Sequence, residues 1–257
     1  MLGSLLRNLW HGVTGKSARA DAGVAADGAL QSEVRAALAA FLREPLAHPK
    51  TVDYELVAYL IAAASSAEYM AAHMMSAQNL MHSDALLEFA LAQCGLDGLV
   101  LEFGVYRGAS LRAIARRVTQ DVHGFDSFEG LPEDWTYFQK RGRFSLRGEV
   151  PRFDEPNIRL QQGWFDQTLP RFLAAHPAPA RFVHIDCDIY ASTRTVLELL
   201  APRIVSGTVI VFDEYLNYPA WREHEFKAFQ EYVAAHRVGY RYLGFASSES
   251  AVAVVVV

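Results

Sequence analysis

Two acidic pairs, Asp186-Cys187-Asp188 and Asp213-Glu214, each close a short apolar run, Arg181 to Ile185 and Thr208 to Phe212. From Asp186 to Asp213 the separation is 27 residues. In an open α/β sheet the carboxyl ends of parallel strands share one edge, and ligands bind there. Carboxylates converging on one edge repel each other unless a cation or a proton relieves them. These residue types at this spacing predict a cofactor-dependent enzyme that holds a hard metal ion.

A third element points to the same edge. The turn Glu102-Phe103-Gly104-Val105-Tyr106-Arg107-Gly108 lies between an apolar run and a helical pattern. Gly104 allows a tight bend, and Gly108 allows a ligand or the next helix to come close. The spacing is neither the dinucleotide pattern Gly-x-Gly-x-x-Gly nor a phosphate loop ending in Gly-Lys-Ser/Thr. Asp126 ends the next apolar run, 24 residues after Glu102. An acid there can accept both hydroxyls of a ribose.

Strands and helices that alternate after Gly98 must position these residues. Strands are expected at Leu99 to Phe103, Asp121 to Phe125, Ile158 to Gln161, Arg181 to Ile185, Thr208 to Phe212, Tyr240 to Phe245 and Ala251 to Val257. Helices are expected at Ala109 to Val118, Ser192 to Leu200 and Trp221 to His236. The pattern predicts an α/β, doubly wound, mostly parallel seven-stranded sheet with an antiparallel neighbour for its last strand. Before it, Leu30 to Leu46, Tyr54 to Ser65 and Ser83 to Cys94 have helical spacing, with Ser83 as an N-cap. The expected division is a flexible lead-in over 1–29, a helical N-terminal lid or extension over 30–97, and a catalytic domain over 98–257. The methionines at 70, 74, 75 and 81 suit core or lid packing.

Composition bounds the rest. Hydrophobic residues make up 51% of 257, enough for a packed core, and the formal charge of -5 with no basic stripe argues against nucleic acid as a partner. Cys94 and Cys187 are far apart and imply no disulfide framework, so a cytoplasmic location is expected. No apolar run is long enough to span a bilayer, so no stable membrane insertion is expected. Arg7 and Asn8 break the apolar start, which fits a secretory signal badly. An amphipathic surface segment over Leu2 to Trp10 stands as the alternative to a frayed tail.

Three stretches carry a family resemblance: Leu101 to Gly108, Gly124-Phe125-Asp126-Ser127-Phe128-Glu129-Gly130-Leu131-Pro132, and His184 to Thr193. With Gly163-Trp164-Phe165, Thr168-Leu169-Pro170 and Phe212-Asp213-Glu214-Tyr215, they resemble the class I S-adenosylmethionine-dependent methyltransferases. More narrowly, they resemble the macrocin/mycinamicin/novobiocin-type sugar O-methyltransferases. The resemblance spans roughly residues 98–215. It implies a Rossmann-like fold, S-adenosylmethionine and Mg²⁺ as cofactors, and methylation of a hydroxyl on a sugar or glycosylated natural product. A homodimer is also implied. Relatives usually carry two aspartates where this chain has Asp213-Glu214, and glycine where it has Cys187.

On that resemblance, Asp186 is metal ligand and general base, with Asp213 and Glu214 as partner ligands. His184 is either a proton relay or a satisfied core residue, and Asp188 either a site residue or a cap. Glu102 and Gly104 are expected at the methionine part, Asp126 at the ribose, and Ser127 and Phe128 at the adenine. Tyr106, Gly108, Ser110, Gly163, Trp164 and Asp186 complete the expected cofactor shell. Tyr106, Arg107, Tyr190, Tyr215 and Trp221 could face substrate. Glu223, His224, Glu225 and Lys227 read as a solvated helix face. The competing functions are a catalytically silent methyltransferase-like scaffold and, less well supported, an NAD(P)-dependent oxidoreductase.

Overall fold

The structure, a computed structural model, describes residues 54–257. The expected lead-in over 1–29, the amphipathic segment at Leu2 to Trp10 and the helix at Leu30 to Leu46 lie outside the described residues. The elements run α1 (Tyr54–His73), β1 (Gln78–Asn79), α2 (Ser83–Ala92), β2 (Leu99–Phe103), α3 (Ala109–Ala115), β3 (Val122–Asp126) and β4 (Ile158–Gln162). They continue with α4 (Phe165–Ala175), β5 (Ala180–Ile185), α5 (Tyr190–Leu200), β6 (Val209–Phe212), α6 (Glu225–His236), β7 (Tyr240–Phe245) and β8 (Val252–Val256).

The sheet order is β1-β7-β8-β6-β5-β2-β3-β4, parallel except that β8 is antiparallel to both β6 and β7. Among the described residues the sheet has eight strands, not the seven expected. The extra one is β1, two residues pairing with Gly244 and Phe245 at the edge, too short to leave a periodic signal. The sequence also concealed α4, because Pro170 sits inside it. Proline in a helix interior removes a hydrogen bond and reads as a break. Ser83 is the first residue of α2, not its cap. The cap position is His82, and the Ser83 N–H donates to the Glu249 carboxylate (2.7 Å).

Alternation along the strands builds two apolar layers. Leu101, Phe103, Phe125, Val183, Ile185, Ile210 and Phe212 pack with α4, α5 and α6 on one face. Val100, Val122, Phe182, Val209 and Val211 pack with α2 and α3 on the other. Helix α2 therefore belongs to the sheet's own covering layer. Helix α1 holds the loop after β6: the Asn217 N–H donates to Ser66 Oγ (2.8 Å) and Trp221 Nε1 donates to Ser65 Oγ (2.9 Å). Met74 is buried and Met70 packs at the core edge, while Met75 and Met81 are exposed. Among the described residues, no helix is long and apolar enough to cross a membrane.

From β2 the chain winds outward through β3 to β4, then returns to the other side of β2 as β5. The winding therefore reverses between β2 and β5, where a doubly wound sheet opens a crevice at its carboxyl edge.

Candidate active site

The hydrogen-bond ladder runs one residue past the strand ends and ties the site together. Gly163 N–H donates to Asp126 O, Gly104 to Phe125 O, Asp186 to Phe103 O, and Asp213 to Ile185 O, all at 2.9–3.0 Å. Five strand ends are thereby fixed side by side. Gly104 is required at this junction. Its φ is +92°, and a Cβ there would lie 1.7 Å from the Asp186 carbonyl oxygen.

Above the switch point is a cleft of about 270 Å³. Gly104, Tyr106, Asp126, Ser127, Gly163, Trp164 and Asp186 from the expected cofactor shell line it, as do Asp213 and Glu214. Sequence reasoning missed Leu131, Pro132 and Phe144 in the lining. Leu131 and Pro132 lay inside a quoted motif, but Phe144 is in a loop with no periodic pattern. Several lining residues have left-handed backbone, including Tyr106 (φ 48°), Phe144 (φ 63°) and Asp188 (φ 64°). Strained non-glycine conformations of this kind cluster at ligand sites.

Other expected residues support the cleft from behind. Phe128 is buried in the core, and its N–H donates to Asp126 Oδ1 (2.7 Å). Gly108 occupies the cap position before α3, where a Cβ would strike the Phe153 ring at 2.3 Å. Ser110 Oγ donates to Glu102 Oε1 (2.7 Å), and Glu102 is wholly buried. Asp126 does more than face the cleft. Its Oδ2 accepts from the N–H groups of Val105 and Tyr106, both at 2.8 Å. With the Phe128 N–H from the loop after β3, three of roughly four acceptor positions on the carboxylate are used by backbone N–H groups. Tyr215 and Trp221 are core residues, and Tyr190 turns its hydroxyl to Glu231 on α6.

The acidic floor gathers Asp186, Asp188 and Glu214, whose ligand atoms lie within 4.8 Å of one another. Asp213 reaches toward His184 Nε2 (3.9 Å), and Glu102 Oε2 approaches His184 Nδ1 (3.7 Å). His184 is 1% exposed, does not line the cleft, and neither ring nitrogen has a hydrogen-bond partner among the described residues. Burial alone would lower its pKa. Asp213 and Glu102 together outweigh burial and hold the imidazole well above its usual range.

The carboxylates shift the same way for a different reason. Burial, then repulsion from Asp213, pushes Asp186 well above the usual carboxylate range. The same two causes raise Glu214 well above it and Asp188 to about 7. Glu214 Oε2 is buried with no partner among the described residues. Acid groups in such a state are relieved by protons or by a hard cation with oxygen preference. The donor set and the unpartnered oxygen fit a Mg²⁺-like ion.

Comparison with known proteins agrees with this geometry. Residues 101–215 match the family described as a methyltransferase domain. The chain is 29% identical over 165 residues to 8-demethyl-8-(2,3-dimethoxy-alpha-L-rhamnosyl)-tetracenomycin-C 4'-O-methyltransferase of Streptomyces olivaceus, covering 55% of this chain and 62% of the relative. It is 27% identical over 153 residues to demethyldecarbamoylnovobiocin O-methyltransferase of Streptomyces niveus, covering 50% and 56%. The matches thus span about three fifths of each relative's length. The fold is similar to the crystal structure of CalS11, a calicheamicin methyltransferase, with a TM-score of 0.55 and 22% identity over 68% of this chain and 80% of that one. Residues 101–215 thus match a methyltransferase domain, and about half of the chain is similar to sugar O-methyltransferases.

Proposed function

We propose that the cleft transfers a methyl group to a hydroxyl of a sugar or glycosylated small molecule. The observation that carries this reading is the convergence, at one switch point, of a glycine turn, a strand-end acid and a triad of carboxylates. S-adenosylmethionine supplies the methyl group on a sulfonium, and the acceptor oxygen must approach it in line. In this reading residues 98–257 form the catalytic unit. Gly104, Tyr106, Asp126, Ser127, Gly163 and Trp164 shape the donor's half of the cleft, with Glu102 and Ser110 bracing the turn beneath it.

An alcohol is a poor nucleophile near neutral pH, so the site must take its proton. Asp186 is the group assigned to that task, because it lines the cleft and is held in place by Phe103. A raised pKa makes a carboxylate a better match for a proton coming from an alcohol. Asp186, Asp188 and Glu214, with Asp213 beside them, would hold Mg²⁺, which lowers an alcohol's pKa and fixes its direction. Buried His184, between Glu102 and Asp213, steadies the charge under the floor, because an imidazole held protonated offsets two acids.

The test is methyl transfer from labelled S-adenosylmethionine to a panel of rhamnosides and glycosylated natural products, with and without Mg²⁺. Label in the sugar, lost on chelation, supports the reading. Label in none of the acceptors while the donor binds supports the silent scaffold instead.

A further inference from the structure

Glu225 is the acid that the mechanism does not use. It is the first residue of α6, 0% exposed, and outside the cleft lining. Its sequence neighbours Glu223 and Lys227 make a loose, partly exposed pair on the helix surface. Glu225 instead points inward, and its Oε2 accepts the Glu214 N–H at 3.1 Å. The other oxygen, Oε1, is buried with no partner among the described residues.

The loop from Asp213 to Glu225 is fastened at several points. Ser65 and Ser66 of α1 hold Trp221 and Asn217, and the Ser250 carbonyl accepts from Tyr215 and Leu216. Those fastenings use neutral oxygens. Among the described residues, only at Glu214, one of the acids facing the cleft, is the loop backbone fixed by a buried carboxylate. A purely structural tie would not need one, because burying an acid among acids costs stability.

We propose that Glu225 is a positioning residue: its carboxyl holds the Asp213-Glu214 peptide so that both side chains face the acceptor end of the cleft. The inference rests on the proposed cation-assisted reading for what is positioned, though not for the hydrogen bond itself. Groups behind a ligand set typically change metal affinity by 10–100-fold when lost.

The test compares three variants of the full chain. Glu225→Ala removes the anchor, Glu225→Gln keeps a carbonyl acceptor for the Glu214 N–H, and Ser66→Ala loosens the same loop at Asn217 only. Two readouts apply: amide hydrogen exchange across residues 213–217, and Mn²⁺ binding followed by electron paramagnetic resonance. Glu225→Ala is expected to speed exchange at Glu214 and weaken Mn²⁺ binding by roughly 10-fold or more. Glu225→Gln stays near wild type in both, and Ser66→Ala speeds exchange at Asn217 while leaving Mn²⁺ affinity unchanged. Equal Mn²⁺ affinity in wild type and Glu225→Ala overturns the proposal. So does an equal loss in Glu225→Ala and Ser66→Ala, which would mark a merely structural loop. If Glu225→Ala does not fold, a loss of Mn²⁺ affinity of roughly 10-fold or more in Glu225→Gln overturns it, because that variant keeps the acceptor for the Glu214 N–H. A wild-type chain that takes up no Mn²⁺ fails the cation reading, and exchange at Glu214 then decides the anchor alone.

Discussion

Two clusters of buried polar side chains meet at the segment after β6, and they are built in opposite ways. At Tyr215, the hydroxyls of Tyr215, Tyr69, Tyr240 and Tyr242 join at 2.7–3.3 Å, with Gln230 donating to two of them. Before it, the carboxylates of Asp186, Asp188 and Glu214 crowd together with Glu225 behind them, and Glu214 and Glu225 each have an oxygen unpartnered among the described residues. The tyrosine cluster packs into the core, while the acidic one opens onto the cleft through Asp186 and Glu214. One is complete by itself, since buried hydroxyls that find partners settle and stiffen a core. The other is incomplete, and buried polar groups left unpaired are costly. On the function proposed above, a cation completes it.

That contrast can be broken at its strongest point first. Asp186→Asn should lower kcat by about 1,000-fold, the scale of general-base loss, while leaving donor affinity within about threefold. Steady-state kinetics beside calorimetry reads both, and a kcat within tenfold of wild type removes Asp186 from the chemistry.

Next comes stability without divalent cations. The pKa of Asp188 is raised to about 7, first by burial and then by Asp213 and Asp126. The folded chain therefore binds this proton more tightly than the unfolded chain, whose value is near 4. Its contribution is full below about pH 4 and is lost as pH rises toward 7, on the order of a few kcal/mol. Tm in EDTA should fall over that window, recover with Mg²⁺, and lose most of its slope in Asp188→Asn. A flat profile in EDTA would contradict the account of the acidic floor.

The tyrosine cluster should answer differently. Tyr242→Phe leaves three hydroxyls short of a partner and should cost about 1–3 kcal/mol. Thermal unfolding should show that loss with no change in Mg²⁺ response and a kcat near wild type. The smallest effect is expected at the loop's edge: Ser65→Ala removes the acceptor for Trp221 Nε1 and should cost about 1 kcal/mol, with catalysis unaffected. A large kcat loss in either variant would merge the two clusters into one functional unit.

Much of this was legible in the sequence, for identifiable reasons. Strands β2, β3, β5 and β6 are largely apolar runs that end at an acid or a glycine, and burial on both faces leaves that signature. The acids at 186, 188, 213 and 214 were readable because each sits at the end of such a run. Two-residue β1 offers no period, and α4 is masked by Pro170. Glu225 was hidden because helical spacing places it among exposed charges, and only tertiary packing turns it inward. Asp126 ends β3 and lines the cleft, but its bonds to Val105 and Tyr106 depend on a left-handed turn that residue types do not announce.

The central claim is that the β2–β5 switch point is a donor site for methyl transfer. Calorimetric titration of S-adenosylmethionine into the full chain tests it most directly, in Mg²⁺ and again in EDTA, with Asp213→Ala alongside. The account predicts micromolar-range binding of one donor per chain that survives both chelation and the substitution, because the turn and the acidic floor are separate parts of the cleft. Absence of binding under every condition would contradict it.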